Sequence, residues 1–365
     1  MAMQATARTG IAETGVNPGG AEMLERLAGV SAARGPEGLA ERLRRLGELT
    51  REDLTAITGL IADLPRQKGL VGRSAAHLLD LDGKRLRPLC VALAARTGSG
   101  FGAAAREFAV AVELVHSATL LHDDVVDVGD QRRGAPTARS IYGNAASIFA
   151  GDWLLVEALR RVRLAGIAGT LDRLLDVIEE MIFAESLQLE ARGRLSTERA
   201  TYFRVVEGKT AALFRWAMFA GGRAGGLCDE ECAALEQYGL HLGVAFQAVD
   251  DLLDLTGSAA VLGKCLFGDL REGKMTYPLI VALERDPGLL AILEEVIALP
   301  EGEAPPERMV TRVLGSLART GAVEDCRSLS RRRAAQAVEC LMRLPQSAAR
   351  TALETVAEAT VSRDR

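Results

Sequence analysis

The sequence predicts an all-α protein, and three observations carry that prediction. Long stretches at 108–121, 171–189, 201–219 and 231–255 place apolar residues three and four apart and hold no internal proline. The interruptions fall at glycine and proline, at 98–102, 134–136, 221–226, 257–273 and 300–306. No stretch alternates apolar and polar residues as a half-buried strand would, and no strand–helix rhythm appears.

Taken in chain order, residues 1–40 are rich in Gly, Ala, Thr and Pro and carry only a short helical pattern around 21–27, so they read as a flexible N-terminal extension. Residues 41–365 form the folded part, helical almost throughout from Leu43. Early in it, DGKRLRPL sets Lys84, Arg85 and Arg87 between a glycine and a proline. Lys84 and Arg87, three apart at a helix start, suit a phosphate held by a point charge and a bidentate fork. The stretch at 108–121 runs into LLHDDVVD, with Asp123, Asp124 and Asp127. Residues four apart on a helix share a face, so this cluster presents at least two carboxylates to one point. His116, seven residues before Asp123 and eleven before Asp127, returns to nearly the same azimuth. A lone helical histidine is ordinarily structural, but this one precedes an acidic face that DQRRGAPT follows with Arg132 and Arg133. The second acidic cluster, Asp250, Asp251 and Asp254 in FQAVDDLLD, repeats the first and carries Gln247 on its face. Lys209 in EGKTAALF, and Lys264 and Lys274 in the glycine-containing loop LGKCLFGDLREGKMTYP, complete the candidate cations.

Two facing acidic helices call for a cation and a highly charged ligand. Mg²⁺ prefers oxygen, keeps waters and is usually held by one or two carboxylates together with substrate phosphates, so the pair predicts a diphosphate clamped through Mg²⁺. The rest of the composition excludes competing classes. With 48% hydrophobic and 25% charged residues the chain can bury a large core. A net charge of −5 with mixed signs gives no basic field for wrapping nucleic acid. The six cysteines, Cys90, Cys228, Cys232, Cys265, Cys326 and Cys340, lack paired metal-ligand spacing and follow no signal peptide, so they read as reduced cytoplasmic thiols. No apolar run is long enough to span a bilayer.

GKRLRP, LLHDDVVD followed by RRGAPT, GKT, and FQAVDDLLD followed by GDLREGKMTYP together resemble, in order, the motif set of the trans-isoprenyl diphosphate synthases, the polyprenyl synthetase family. The likeness runs from about Leu43 to the C-terminus. It implies a single-domain helical bundle around a deep cavity, usually homodimeric, that condenses an allylic diphosphate with isopentenyl diphosphate. Position by position, it implies Asp123, Asp127 and Asp250 as Mg²⁺ ligands, with Asp124, Asp251 and Asp254 completing the acidic faces through ions or water. It gives the allylic diphosphate to Arg132, Lys209 with Thr210, and Lys264. It gives isopentenyl diphosphate to Lys84, Arg87, His116 and Arg133, with Gln247 and Lys274 in support. Three departures concern loop closure: Phe267-Gly268 replaces a glycine pair, Cys265 stands where proline is common, and Asp82 replaces a glycine.

The chemistry that the resemblance implies is ionisation of the allylic carbon–oxygen bond, attack on the cation by the isopentenyl double bond, and proton loss to the released diphosphate. Prearranged cations favour the charge that builds on the leaving group. Residues just before the first cluster form the family's wall beneath the allylic site. Ala118 and Thr119 are small, so the expected product is long, of the octaprenyl type, with peripheral membrane contact for its release. A shorter geranylgeranyl or farnesyl product is the alternative. A class I terpene cyclase would need only one diphosphate site, and a non-catalytic synthase subunit would tend to lose its aspartates; all six stand in this chain.

Overall fold

The computed structural model describes residues 38–64, 68–81, 83–256, 267–300 and 303–363. Most of the expected extension, the pattern at 21–27, Asp82, Lys264 and Cys265 lie outside the described residues. The chain is a helical bundle: α1 (Leu39–Ala62), α2 (Leu70–Leu79), α3 (Leu86–Arg96), α4 (Ala103–Val126), α5 (Ala138–Tyr142), α6 (Asn144–Ala165), α7 (Thr170–Ala191), α8 (Arg199–Val206), α9 (Ala212–Ala224) and α10 (Asp229–Thr256) precede α11 (Gly268–Arg271), α12 (Tyr277–Arg285), α13 (Leu290–Ile297), α14 (Glu307–Thr320), α15 (Ala322–Cys340) and α16 (Ala348–Val361). All four predicted helical stretches fall within helical segments.

Helix α4 carries the first aspartate cluster and is apolar nearly all round, as a helix wrapped by neighbours must be. It packs along α6, and α9 packs on α3 and α10. Helix α10, which carries the second cluster, joins two parts of the core. Its first half (Leu235, Tyr238, Leu242) sits with Phe108, Trp216 and Leu353; its second half (Val244, Ala248, Leu252) sits with Leu279, Val313 and Cys326. Tyr238 and Trp216 are fully buried, and each polar tip is satisfied by a backbone carbonyl, Leu353 O at 2.8 Å and Thr170 O at 3.0 Å.

Three sequence expectations are corrected. A strand pair exists: β1 (Gln131–Arg132) pairs antiparallel with β2 (Ala135–Pro136). Its turn residues Arg133 and Gly134 both take positive φ, 54° and 77°, the two-residue hairpin geometry, and two-residue strands are too short to show alternation. The stretch at 201–219 is not one regular helix; a π-helical turn at Glu207–Ala211 separates α8 from α9. Such a turn adds one residue without breaking the apolar pattern, and it recurs at functional sites. The expected break at 221–226 begins too early, because Gly221 and Gly222 lie inside α9. A Cβ on Gly221 would sit 2.5 Å from Val91 O, so this glycine admits a close helix crossing rather than ending a helix. The five described cysteines are free.

Candidate active site

The first acidic wall forms at the end of α4. Asp123 and Asp127 stand half-buried on one helical face, as their spacing requires. Lys209 Nζ, on the π-helical turn, lies 3.6 Å from Asp123 Oδ2 and is paired with Glu185 of α7. Burial, with Glu185 and Asp127 nearby, pushes the Asp123 carboxyl above the usual range in spite of Lys209. Asp127 is also partly buried, but Lys274, Lys209 and Arg192 outweigh burial and hold it low. Lys274 Nζ donates to Asp127 Oδ2 at 2.8 Å and to Glu272 Oε2 at 2.6 Å, which raises the Lys274 pKa against the cost of burial.

Asp124 differs in setting from Asp123 and Asp127. It is buried, and its Oδ1 accepts from Arg132 Nε at 2.9 Å and Nη2 at 2.7 Å, so it orients that guanidinium. Asp124 Oδ2 is buried with no hydrogen-bond partner among the described residues.

Beside this wall lies a basic pocket. Arg87, in the first turn of α3, stacks 4.5 Å from the Phe214 ring centroid, and its buried Nε has no partner among the described residues. Arg85 takes a left-handed backbone, φ 48°, and pairs with the buried Glu113 of α4. Burial and the charges of Arg87, Arg133, Arg132 and Arg85 lower the His116 pKa far below its ordinary value. The neutral imidazole is therefore the form present at neutral pH. Exposed Lys84 stands among the charges of Arg363, Asp250 and Arg133. Ala118 is buried beneath the wall, and Thr119 Oγ1 donates to His116 O at 2.8 Å.

The second wall is less uniform than its sequence. Asp250 is partly open and accepts from Arg363 Nη2 at 3.0 Å; that guanidinium stacks on Phe246 at 4.2 Å. Asp254 Oδ2 receives the Asp269 backbone N–H at 3.4 Å, at the start of α11. Asp251 is turned inward. It is 2% exposed, and its two oxygens accept from Tyr202 Oη at 2.7 Å, Gln247 Nε2 at 2.9 Å and the Tyr277 N–H at 3.2 Å. Burial and nearby Asp269 raise its pKa to about 7, against those three hydrogen bonds. The Gln247 amide is engaged at both ends, because its Oε1 accepts from Thr210 Oγ1 at 2.9 Å. A chain of bonds therefore runs from the turn bearing Lys209 to the second wall.

Sequence reading missed Glu113, Glu185, Arg192, Tyr202 and Arg363. None belongs to a charged motif, and each comes near the site only through tertiary packing; an Arg363 close to the C-terminus in particular gives no local signal.

The donors suit Mg²⁺. They are carboxylate oxygens drawn together against their own repulsion, and a hard ion fits that set. Among the described residues no group of three or more His, Cys, Asp or Glu side chains is gathered as a metal site.

An all-α bundle with two aspartate-bearing helices and flanking cations is the arrangement of the isoprenoid synthase fold. The polyprenyl synthetase family model matches residues 68–311. Over 325 residues the chain is 34% identical to the octaprenyl diphosphate synthase of Escherichia coli, covering 88% of this chain and 99% of that one. Its structure is similar to a decaprenyl diphosphate synthase from Rhodobacter capsulatus, with TM-score 0.80, 35% identity and coverage of 88% and 99%. It is also similar to a polyprenyl synthase from Caulobacter crescentus complexed with calcium and isoprenyl diphosphate, with TM-score 0.82, 35% identity and coverage of 88% and 98%. The chain belongs to the polyprenyl synthetase family and is a prenyltransferase.

Proposed function

We propose that this enzyme adds isopentenyl diphosphate head to tail, repeatedly, to an allylic diphosphate and releases a long all-trans polyprenyl diphosphate of octaprenyl type. The observation that carries this reading is Lys209. It reaches Asp123 of the first cluster, while its neighbour Thr210 is tied through Gln247 to Asp251 in the helix of the second, so one turn connects the two aspartate-bearing helices.

Asp123, Asp127 and Asp250 would hold Mg²⁺, which supplies positive charge to the departing diphosphate. Lys209, Lys274 and the Arg132 that Asp124 orients bind the allylic diphosphate on the same side; Lys264, outside the described residues, is assigned there by its motif alone. Lys84, Arg87, Arg133 and neutral His116 hold isopentenyl diphosphate, and the unpartnered Arg87 Nε is a donor suited to a phosphate oxygen. The allylic carbon–oxygen bond breaks with its electron pair leaving on the diphosphate. The isopentenyl double bond then forms the new carbon–carbon bond, and a proton passes to the released diphosphate. Holding both substrates side by side supplies the proximity. Ala118 is small, so it sets no bulky side chain below the proposed allylic site.

Domain limits of 41–365, with 1–40 as a separate extension, accompany this reading, although α1 already starts at Leu39. A cytoplasmic location fits the free thiols. Among the described residues no helix is long and apolar enough to cross a membrane, so contact with a membrane during product release would be peripheral. A homodimer is supported by an apolar stripe on the outside. Leu175, Ile182 and Leu189 of α7 recur every seven residues and are exposed, beside Phe183 and, on α6, Phe149 and Val156.

Purified protein given Mg²⁺, farnesyl diphosphate and labelled isopentenyl diphosphate should yield elongated prenyl diphosphates. Cyclic hydrocarbon would point instead to a cyclase, and absent turnover to a binding subunit. Combining Asp123→Asn with Asp250→Asn should cut elongation by at least ~10³-fold, the scale of losing principal electrostatic stabilisers; persistent chain growth would defeat the assignment.

A further inference from the structure

Asp127 is gripped from two sides. Arg192 Nη2 bonds its Oδ1, and Lys274 Nζ donates to its Oδ2 at 2.8 Å. Arg192 lies one residue past the end of α7, outside the charged motifs of the sequence. The same guanidinium donates through Nε to Glu272 O at 2.8 Å, and the next residue donates its backbone N–H to Gly273 O at 2.9 Å. Gly273 has φ 76°, and a Cβ there would stand 2.7 Å from Gly193 N, so the two loops meet backbone to backbone where only glycine fits. Arg192 therefore touches the end of α4 and the turn that delivers Lys274 at once.

We propose that Arg192 is a positioning residue that fastens the first acidic wall to the Lys274 turn and competes with Mg²⁺ for Asp127. The proposal rests on the reading of Asp127 as a metal ligand. Each Asp127 oxygen already accepts from a cation, so a divalent ion that approaches either one meets a neighbouring positive charge, and its binding is opposed until one of the two withdraws. Arg192 is the one to yield. Its side chain is 30% exposed against 17% for Lys274, and its Nε bond to Glu272 O keeps the arginine anchored after it releases the carboxylate. Lys274 is held a second time by the Glu272 carboxylate. The four groups Arg192, Lys274, Asp127 and Glu272 balance in charge. A dication entering among them leaves an excess that a diphosphate cancels, which couples metal entry to the anionic substrate.

The test is thermal unfolding of the full chain, titrated with Mg²⁺ at fixed inorganic diphosphate, for wild type, Arg192→Gln and Arg192→Lys. Arg192→Gln should melt lower than wild type in EDTA and reach half of its Mg²⁺-dependent stabilisation at about fivefold lower Mg²⁺, the size of a partly exposed ion pair. Arg192→Lys, which keeps the charge but loses the fork that bonds Asp127 and Glu272 O together, should fall between wild type and Arg192→Gln. Arg192→Met, neutral and of similar length, repeats the first arm should the amide variant misfold. A midpoint that is unmoved or raised in the neutral variants overturns the role of Arg192 while the metal reading survives. A wild type whose melting ignores Mg²⁺ overturns both.

Discussion

Replacing Asp251 with Leu removes the acceptor of two buried donors, the Tyr202 hydroxyl and the Tyr277 N–H, and of the half-buried Gln247 amide. Each buried donor left unpaired costs ~1–3 kcal/mol, so the two buried donors alone should cost roughly 2–6 kcal/mol, a large share of the ~5–15 kcal/mol that holds a domain folded. Asp251→Asn should cost only ~1 kcal/mol. Its oxygen can still serve Tyr202 and Tyr277, and its new N–H can be met if the Gln247 amide flips; Thr210 Oγ1, able to accept as well as donate, then takes the other end. The two variants also differ from wild type in pH response. With a folded pKa of about 7 against an ordinary value of 3.8, Asp251 stabilises the fold fully below 3.8 and loses that contribution as pH rises towards 7. From about pH 5 to about pH 8 wild type should thus lose roughly 2–3 kcal/mol relative to Asp251→Asn, which cannot titrate. Urea unfolding midpoints measured across that range are the assay. Equal losses for the Leu and Asn variants, or parallel pH profiles for wild type and Asp251→Asn, would refute the network described here.

Ala118→Phe places a ring about five residues, or ~7.5 Å, below Asp123 along α4 and should shorten the product; chromatography of the dephosphorylated prenols reads it, and unchanged length would remove Ala118 from the tunnel wall. Phe183→Asp sets a charge in the outer apolar stripe at a residue 66% exposed, so it should lower the sedimenting mass towards that of one chain without unfolding it; an unchanged mass would place any interface elsewhere. Phe267→Gly would relieve a left-handed backbone, φ 64°, worth ~1–2 kcal/mol, but empty a fully buried ring site worth ~3–5 kcal/mol. The net loss of ~1–4 kcal/mol should appear as a lower urea midpoint, and a stabilised variant would show that the ring contributes little.

Where the sequence was legible, a local rule governed the outcome. The aspartates four apart on α4 share a face because helix geometry leaves no alternative, and the bounds of α7 and α10 follow apolar periodicity and glycine. Legibility failed where tertiary contacts choose between chemically equal groups. Asp250 and Asp251 are adjacent and identical in type, yet one is open to Arg363 and the other closed by Tyr202 and Gln247. The same holds for Asp123 and Asp124. Adjacent helical residues point about 100° apart, and which of them meets the cleft depends on how the helix is rotated against its neighbours, a property absent from the local string. Glu185 and Arg192 show the same limit from the other side, since the pattern of α7 places them on a helix and beyond its end but says nothing of the aspartates they approach.

The pairing of carboxylates with cations accounts for how one site can be both stable and reactive. Asp123 has Lys209, Asp124 has Arg132, Asp127 has Arg192 and Lys274, and Asp250 has Arg363. Each pair joins segments far apart in sequence or at the ends of different elements, so the charges that hold the walls in register are also those that flank the proposed diphosphate site. In the proposed reaction a diphosphate entering with Mg²⁺ would exchange partners within this set, and little side-chain order would have to be created at that moment. As the allylic bond broke, negative charge would grow on oxygens beside these cations. The gain would then be larger for the separating state than for the bound substrate, which is the condition for lowering the barrier and not merely tightening binding.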